Sequence, residues 1–454
     1  MFKKILIANR GEIAVRIIRA CREMGIKTVA VYSTADKEAL HTQLADEAIC
    51  IGNPKGADSY LNMVNILSAC IVTKAEAIHP GFGFLSENAS FARLCEECNI
   101  KFIGPSADII DLMGDKANAR DTMIKAKVPV VEGSDGIVND VKEIHSFCEK
   151  YGFPILIKAS SGGGGKGIRI VNDFDEIDSN YNSARQEAKL AFGDDSVYIE
   201  RVILNARHIE VQILGDNHGN LCHLYERDCS LQRRNQKVLE EAPAFVLSDE
   251  KRKEICDLAV RAGKAVNYVN AGTIEFLYET KSQNIYFMEM NTRIQVEHPI
   301  TELITGVDIV QEQLRVAFGE TLTFKQEDIK IDGFAIECRI NAEDTDNNFQ
   351  AQAGKINIYL APAGPNVRVD SAIYQNYFIP PFYDSMIAKV IVKGKTREEA
   401  IARMQRCLYE CVVEGIKTNI DFQSIILDNE KYLECDFDTK FIEREILPNL
   451  YKFE

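Results

Sequence analysis

The chain has 454 residues, 46% of them hydrophobic and 27% charged, which is enough for about two to four domains and a large core. A net charge of −15 argues against nucleic acid or an anionic membrane as the main partner. No stretch approaches a membrane span, the apolar run after Met1-Phe-Lys-Lys (Ile5 to Ala8) is far too short for a signal sequence, and thirteen scattered cysteines point to free thiols in a reducing cytoplasm.

Lys4 to Ala8 forms a short apolar strand, Asn9-Arg10-Gly11 a turn, and Ile13, Ile17, Ala20, Cys21 and Met24 recur at helical spacing before Gly25. Thr28 to Tyr32 completes a β-α-β unit, hence a parallel sheet with helices on its faces. Gly-x-Gly-x-x-Gly is absent, since only Gly11 stands near the turn, so a dinucleotide site is not assigned. Further strands are expected near Ala48–Ile51, Ala75–Ile78 and Lys101–Ile103. His79-Pro-Gly-Phe-Gly-Phe-Leu-Ser-Glu-Asn88 follows a strand end, where open α/β sheets place ligands; a glycine turn with aromatics is equally compatible with packing. Cys95 and Cys98 lie on a helix with no second pair at zinc spacing, so core packing is the expectation.

A helix around Gly114 to Ala126 opens a second domain, with Lys116 in its first turn, a place where a lysine is ordinarily just solvated. Ile155 to Ala159 and Ile168 to Val171 are strands flanking Ser160-Ser-Gly-Gly-Gly-Gly-Lys-Gly167. Consecutive glycines expose backbone N–H groups suited to phosphate oxygens. This is not a Walker A loop, which would need Gly at Ser160, Ser or Thr at Gly167, and a following helix. Lys158, inside an apolar strand, is a candidate phosphate contact. Val197 to Ile203 is a further strand, with His208 to Leu214 expected as its hairpin partner. Arg227, Arg233, Arg234 and Lys237 then cluster in an otherwise acidic chain, as an anionic substrate requires or as a surface ion-pair network would show.

Thr273 to Leu277 and Ile285 to Met290 flank a polar loop, and a hairpin centred near Ser282 sets Glu275 opposite Glu289. Opposed side chains sit about 5 Å apart and like charges there repel, so something positive belongs between them. Two carboxylates with the Asn291 amide suit a hard cation, Mg²⁺ or Mn²⁺; a lysine from elsewhere, or a register off by one, would also meet the pattern. If Met288 to Pro299 is extended, Glu289, Asn291, Arg293, Gln295 and Glu297 line one side. After Phe324 strands predominate (Gly333–Ile340, Lys355–Leu360, Val367–Asp370, Met386–Lys393), with a helix from Arg397 to about Cys411, giving a third, largely antiparallel domain.

Together these motifs resemble biotin carboxylase, the ATP-grasp component of acetyl-CoA carboxylase. The matching stretches are Ile7-Ala-Asn-Arg-Gly-Glu-Ile-Ala14, His79 to Asn88, Lys158 with the tetraglycine loop, Glu226-Arg-Asp-Cys-Ser-Leu-Gln-Arg-Arg234, Glu289 to Pro299 and Glu337-Cys-Arg-Ile-Asn-Ala-Glu-Asp344. The resemblance implies an α/β and α+β multidomain fold. A Rossmann-like N-terminal parallel sheet (1–113) would precede an ATP-grasp domain (114–330) with a glycine-rich lid at about 131–203, and a mostly antiparallel C-terminal domain (331–454) would follow. It implies carboxyphosphate formation from MgATP and bicarbonate, then carboxyl transfer to a ureido nitrogen of biotin. It places ATP on Lys116, Lys158, Gly164, Gly165, His208, Gln232 and Asn235, with Glu200, Arg201, Val202 and Ile203 as the hinge facing adenine. Two Mg²⁺ or Mn²⁺ ions would sit on Glu275, Glu289 and Asn291. Bicarbonate would sit on Lys237, Arg293, Gln295, the Val296 backbone and Glu297, the last as its base, and biotin on Phe82 and Arg339, the latter stabilising the enolate.

Two positions depart from the family pattern: Asn235 where His is usual, which cannot carry charge, and Phe82 where Tyr is usual, which keeps the aromatic face. No Met-Lys-Met biotinylation site is present, so biotin is expected on a separate carrier protein. The resemblance also implies a cytoplasmic homodimer, with Arg19, Glu23 and Arg368 at its interface, working with carboxyltransferase subunits in fatty acid synthesis. The alternatives are the same catalytic unit in a pyruvate, propionyl-CoA or other acyl-CoA carboxylase, another ATP-grasp ligase, or a non-catalytic nucleotide-binding regulator.

Overall fold

The computed structural model describes residues 1–134, 136–160 and 167–450. Near the N-terminus, β1 (Lys4–Ile7), α1 (Gly11–Glu23), β2 (Lys27–Ser33), β3 (Glu47–Gly52), β4 (Ala77–His79) and β5 (Lys101–Phe102) build a parallel sheet in the order β3-β2-β1-β4-β5. The winding direction reverses between β1 and β4. The crevice beyond their ends is therefore the switch point where such sheets bind ligands. Both matched motifs lie there: Asn9 follows β1, and its side-chain amide donates to the Pro80 and Phe82 carbonyls beyond β4, both at 2.7 Å.

After α2 (Lys116–Lys125), a small unit stands apart with its own core. Its strands β6 (Ile155–Ala159), β7 (Ile168–Val171) and β8 (Val197–Arg201) pair antiparallel in the order β7-β6-β8. Ile155, Ile157, Val171, Val197 and Ile199 pack there with Ile144, Ile177 and Ala184 from two helices.

The main sheet has eight strands, in the order β13-β12-β9-β10-β11-β14-β16-β15. These are β9 (Ala206–Gly215), β10 (Leu221–Arg233), β11 (Gln236–Ala242), β12 (Asn270–Glu279), β13 (Asn284–Asn291), β14 (Phe334–Asn341), β15 (Val367–Ser371) and β16 (Met386–Gly394). All ten residues of β9 are buried. Ile209, Val211 and Ile213 pack on α3 (Asp249–Ala265), so His208, Glu210 and Gln212 occupy the other face by the two-residue period of a strand. The β11–β14 pairing carries the sheet across residue 330, so the third region's strands extend the central sheet.

Three expectations are corrected. His208 to Leu214 is not the hairpin partner of Val197 to Ile203: β8 pairs with β6 in the small sheet, whereas β9 lies between β10 and β12 in the large one. The intervening loop, with Asn205 at φ 51°, carries the chain from one sheet to the other. Lys355 to Leu360 is two short strands, Gly354–Lys355 and Ile358–Leu360, because each half pairs with a different neighbour. The extended segment from Met288 ends as a strand at Asn291, and Glu297 is the N-cap of α4 (His298–Thr305).

The opposite face of β11 is anchored to α5 (Arg397–Glu410) by one buried pair. Arg397 Nε and Nη2 both donate to Glu241 at 2.9 Å, and the Tyr432 hydroxyl adds a third bond to that carboxylate. Removing one member of a buried pair strands the other charge. Arg397→Met is expected to cost about 3–5 kcal/mol, read as a lower urea midpoint; an unchanged midpoint would show that Glu241 finds other compensation.

Candidate active site

A cavity of about 1450 Å³ opens between the N-terminal sheet, the small sheet and the polar face of the large sheet. Of the residues assigned to nucleotide, Lys116, Lys158, Glu200 to Ile203, His208, Gln232 and Asn235 line it. So do Glu275, Glu289, Asn291, Arg293, Gln295, Val296, Lys237, Arg339 and Phe82. Glu297 does not line it: it is fully buried behind Lys237 and Arg339, which do and which both bond it, and Gly164 and Gly165 lie outside the described residues.

At the centre Lys237 Nζ donates to Glu210 Oε2 at 2.5 Å, Glu297 Oε1 at 2.7 Å and Glu275 Oε1 at 2.9 Å. Burial alone would lower this amine; Glu210, Glu275 and Glu297 together push it well above its ordinary value. Burial and the Glu210 charge act to raise Glu297, but Lys237 and Arg339 hold it below the usual carboxylate range. Arg339 Nη2 reaches Glu297 Oε2 at 3.0 Å. Beneath, Arg227 is fully buried and donates to Glu210, Gln212, Thr273 and Thr301.

The expected register is present: Glu275 faces Glu289 across β12 and β13. Lys237 and His208 supply positive charge at Glu275 and draw it well below its ordinary value against burial. Glu289, in contrast, is raised by burial and then by Glu275, and makes no hydrogen bond or ion pair among the described residues. The Asn291 and Gln295 amides donate to Glu275 Oε1 at 2.9 and 3.1 Å. An all-oxygen set with one uncompensated carboxylate fits a hard divalent cation.

Arg293 bonds Asn291 and Gln295 through Nη2 and Nη1, and Glu87 through Nε at 2.9 Å. Glu87 also accepts from the Thr292 N–H, so the end of the His79–Asn88 motif is tied to this segment. Earlier in that motif Gly81 takes φ 62°, and a Cβ there would lie 2.9 Å from the Asn9 amide; the close approach that places Phe82 needs glycine. Lys158 is ion-paired with Glu200, and Arg120 approaches the other oxygen at 3.7 Å.

Of the four cations between Glu226 and Lys237, one reaches the carboxylate centre from above. Arg227 is structural, Arg233 stacks on Phe349 at 3.9 Å, and Arg234 is exposed. Arg234 and Asn235, at φ 51° and 63°, form the two-residue turn joining β10 and β11. Asparagine tolerates that left-handed conformation, which gives a backbone reason for its presence. Residues not anticipated include Arg120, Tyr198, Leu277, Met288, Thr439 and Lys440 in the cavity wall, and Glu210 in the Lys237 cluster. Glu210 carried a signal: His208, Glu210 and Gln212 alternate with Ile209, Val211 and Ile213. Away from the cavity, Arg19 is exposed, Glu23 accepts from Gln311 at 3.1 Å, and Arg368 is paired within the chain to Glu302 and Asp370.

The family model described as Biotin carboxylase, N-terminal domain matches residues 1–110; Carbamoyl-phosphate synthase L chain, ATP binding domain matches 115–325; and Biotin carboxylase C-terminal domain matches 337–444. Biotin carboxylase 1 of Bacillus subtilis (strain 168) is 58% identical over 443 residues, 98% of each chain. A pyruvate carboxylase subunit of Methanothermobacter thermautotrophicus is 52% identical over 443 residues, 98% of this chain and 90% of that one. The biotin carboxylase domain dimer of Hydrogenobacter thermophilus 2-oxoglutarate carboxylase, solved with MgADP, ADP and bicarbonate, matches with a TM-score of 0.94 at 49% identity, over 100% of this chain and 99% of that one.

Lys237→Met would leave Glu210, Glu275 and Glu297 without their shared ammonium. Their folded-state titration would rise above the unfolded carboxylate range, so the stability lost is small at low pH and grows as pH rises. A cost of about 3–5 kcal/mol is expected near pH 8, shrinking toward pH 5, from urea melts at both. A cost independent of pH would show that other groups neutralise the cluster.

Proposed function

The chain belongs to the biotin carboxylase family of ATP-dependent ligases, and from that premise we propose that it carboxylates biotin borne on a separate carrier protein, as the first half-reaction of acetyl-CoA carboxylase in fatty acid synthesis. The observation that carries the chemistry is the meeting of Lys237, Glu297 and Arg339 beside the opposed pair Glu275 and Glu289.

In this reading Lys116 and Lys158 take the nucleotide phosphates, with His208, Gln232 and Asn235 beside them and Glu200 to Ile203 along the adenine. Lys158 is ion-paired with Glu200, and its ammonium has two further N–H donors to offer a phosphate. Glu275, Glu289 and Asn291 would hold Mg²⁺ or Mn²⁺, which when bound neutralises charge on the transferring phosphoryl group. Lys237, Arg293, Gln295 and the Val296 backbone orient bicarbonate, and Glu297 takes its proton. The bicarbonate oxygen attacks the γ-phosphorus, ADP departs, and carboxyphosphate forms. Its carboxyl group passes to the ureido nitrogen of biotin, whose proton leaves with the released phosphate. Arg339 stabilises the enolate and Phe82 stacks on the ring. Positioning and charge stabilisation supply most of such catalysis.

We divide the chain at 1–113, 114–330 and 331–454, with the lid at 131–203; the small sheet's separate core supports that lid. We place the enzyme in the cytoplasm as a homodimer through Arg19, Glu23 and Arg368. Free cysteines and the absence, among described residues, of a helix long and apolar enough to cross a membrane support the compartment. The acetyl-CoA role rests on the motif resemblance. The relatives named for pyruvate and 2-oxoglutarate carboxylases show that the same type of catalytic unit serves other acceptors, and the carboxyltransferase that partners this chain decides among them.

ADP release with MgATP and bicarbonate, with and without free biotin, tests the reading. Biotin-stimulated, bicarbonate-dependent release is expected; stimulation by ammonia or an amino acid instead would assign another ATP-grasp ligase. Glu297→Gln is expected to keep nucleotide affinity and lose about 10²–10⁴ of the bicarbonate-dependent rate. Unchanged turnover would remove Glu297 from the mechanism.

A further inference from the structure

One carboxylate touching these groups has no task in that mechanism. Glu240, on β11, is fully buried. Its Oε1 accepts from Arg339 Nε at 2.6 Å, while Arg339 Nη2 holds Glu297 at 3.0 Å. The guanidinium is thus gripped at two places by two carboxylates, and its Nη1 donates to nothing among the described residues. Glu240 Oε2 is buried without a partner. Directly opposite on β14 stands Glu337, fully buried, with neither carboxylate oxygen hydrogen-bonded.

Resting on the assignment of Arg339 to the biotin ureido group, we propose that Glu240 is a positioning residue for carboxyl transfer, holding Arg339 by Nε so that the guanidinium meets biotin instead of closing onto Glu297. The geometry sets up a competition. Glu240 and Glu297 share one guanidinium, and if Glu240 lets go, Glu297 is the carboxylate still bonded to it. Closure onto Glu297 would occupy the donors meant for the enolate. A misplacement of about 1 Å can cost about a hundredfold in rate.

The hold depends on ionisation. The charged groups facing Glu240 are Lys237 on its own strand, Arg339 on β14 and Glu297 at the start of α4; the other titratable groups there, Cys229 on β10 and Glu337 and Cys338 on β14, are all pushed well above their ordinary values by burial. Burial pushes Glu240 up, to about 7, with Glu297 adding to the rise and Arg339 and Lys237 opposing it. Below that pH its protonated form holds the guanidinium less firmly.

The test is a double-mutant cycle on the full chain with Glu240→Gln, Arg339→Gln and both, reading ADP release with MgATP and bicarbonate, with and without free biotin, from pH 6 to 9. Glu240→Gln is expected to lose about tenfold to a hundredfold of the biotin-stimulated rate in kcat more than in KM. It should add no further loss in the Arg339→Gln background. The ratio of biotin-stimulated to biotin-independent release should fall in the unmodified enzyme as pH drops through about 7, and that limb should be missing from Glu240→Gln. Using the ratio cancels any change in bicarbonate supply. Full biotin stimulation in Glu240→Gln, or a loss that multiplies with that of Arg339→Gln, would overturn the proposal. Full stimulation in Arg339→Gln would instead refute the assignment of Arg339, and the proposal with it. If Glu240→Gln does not fold, Glu240→Asp decides: its shorter carboxylate keeps the charge but draws back from Arg339 Nε, so part of the biotin-stimulated kcat should be lost, and full stimulation in that folded variant would overturn the proposal.

Discussion

Lys237 is a single ammonium shared by three buried carboxylates from three parts of the chain: Glu210 on β9, Glu275 on β12 and Glu297 at the start of α4. Taking that many ionised groups out of water is affordable only where each has an opposite charge and a hydrogen bond. The polar face of the main sheet is built to supply them. Arg227 underpins Glu210 from inside, and His208 flanks Glu275. Because the lysine spans β9, β11, β12 and α4, strand register there and ionisation of the site are one constraint. A slip of one residue would send His208, Glu210 and Gln212 into the apolar packing of α3 and expose Ile209, Val211 and Ile213 to the site.

The same pattern recurs around the cavity. Lys158 is paired with Glu200, Arg293 with Glu87, and Arg339 with Glu240 and Glu297. Each of these cations, assigned by the proposed chemistry to an anion, thus has a glutamate partner already, on a chain whose net charge is −15. For these three cations, under that assignment, anion binding would be an exchange of carboxylate for phosphate or bicarbonate; Lys116, in the same cavity wall, has no ion pair among the described residues. The cost of parting such a pair offsets part of the gain, which favours a ligand able to engage several cations together. Opposed Glu275 and Glu289 work in the other direction, since their repulsion is relieved when a cation arrives.

Local pattern carried far in the sequence, and non-local pairing did not. The Glu275–Glu289 pairing lies one short hairpin away and is reached through a one-residue shift between Glu275 and Phe276, since the hairpin itself pairs Phe276 with Phe287 and Leu277 with Tyr286; the β-α-β start follows from a single change of period. The misplacement of His208 to Leu214 came from the expectation that neighbouring strands pair; here the chain crosses between two sheets, and nothing local encodes that step. For Glu210, where alternation did signal a polar face, and for Glu240, the partner was illegible for a related reason. Their partners lie 27 and 99 positions away, and the strand order β9-β10-β11-β14 that joins them is a property of the whole sheet. Arg227 misled in the opposite sense: its charge suggested substrate, but it is buried beneath the site.

The β11–β14 pairing gives the third region's place in the chemistry a physical cause. β11 carries Lys237 into the carboxylate cluster and Glu240 three residues later, and β14 places Arg339 against both Glu240 and Glu297. Had the third region packed as a separate body, the guanidinium nearest the base would depend on a domain interface, and interfaces of that kind ordinarily shift. Extending the central sheet by backbone hydrogen bonds instead fixes Arg339 to the strand that holds Lys237. The group assigned to bicarbonate and the group assigned to biotin are then set on adjoining strands of one rigid element, while the nucleotide lysine Lys158 rides on the small sheet with its separate core. Any closing of that small sheet over a nucleotide would move Lys158 relative to the other two without altering the distance between them.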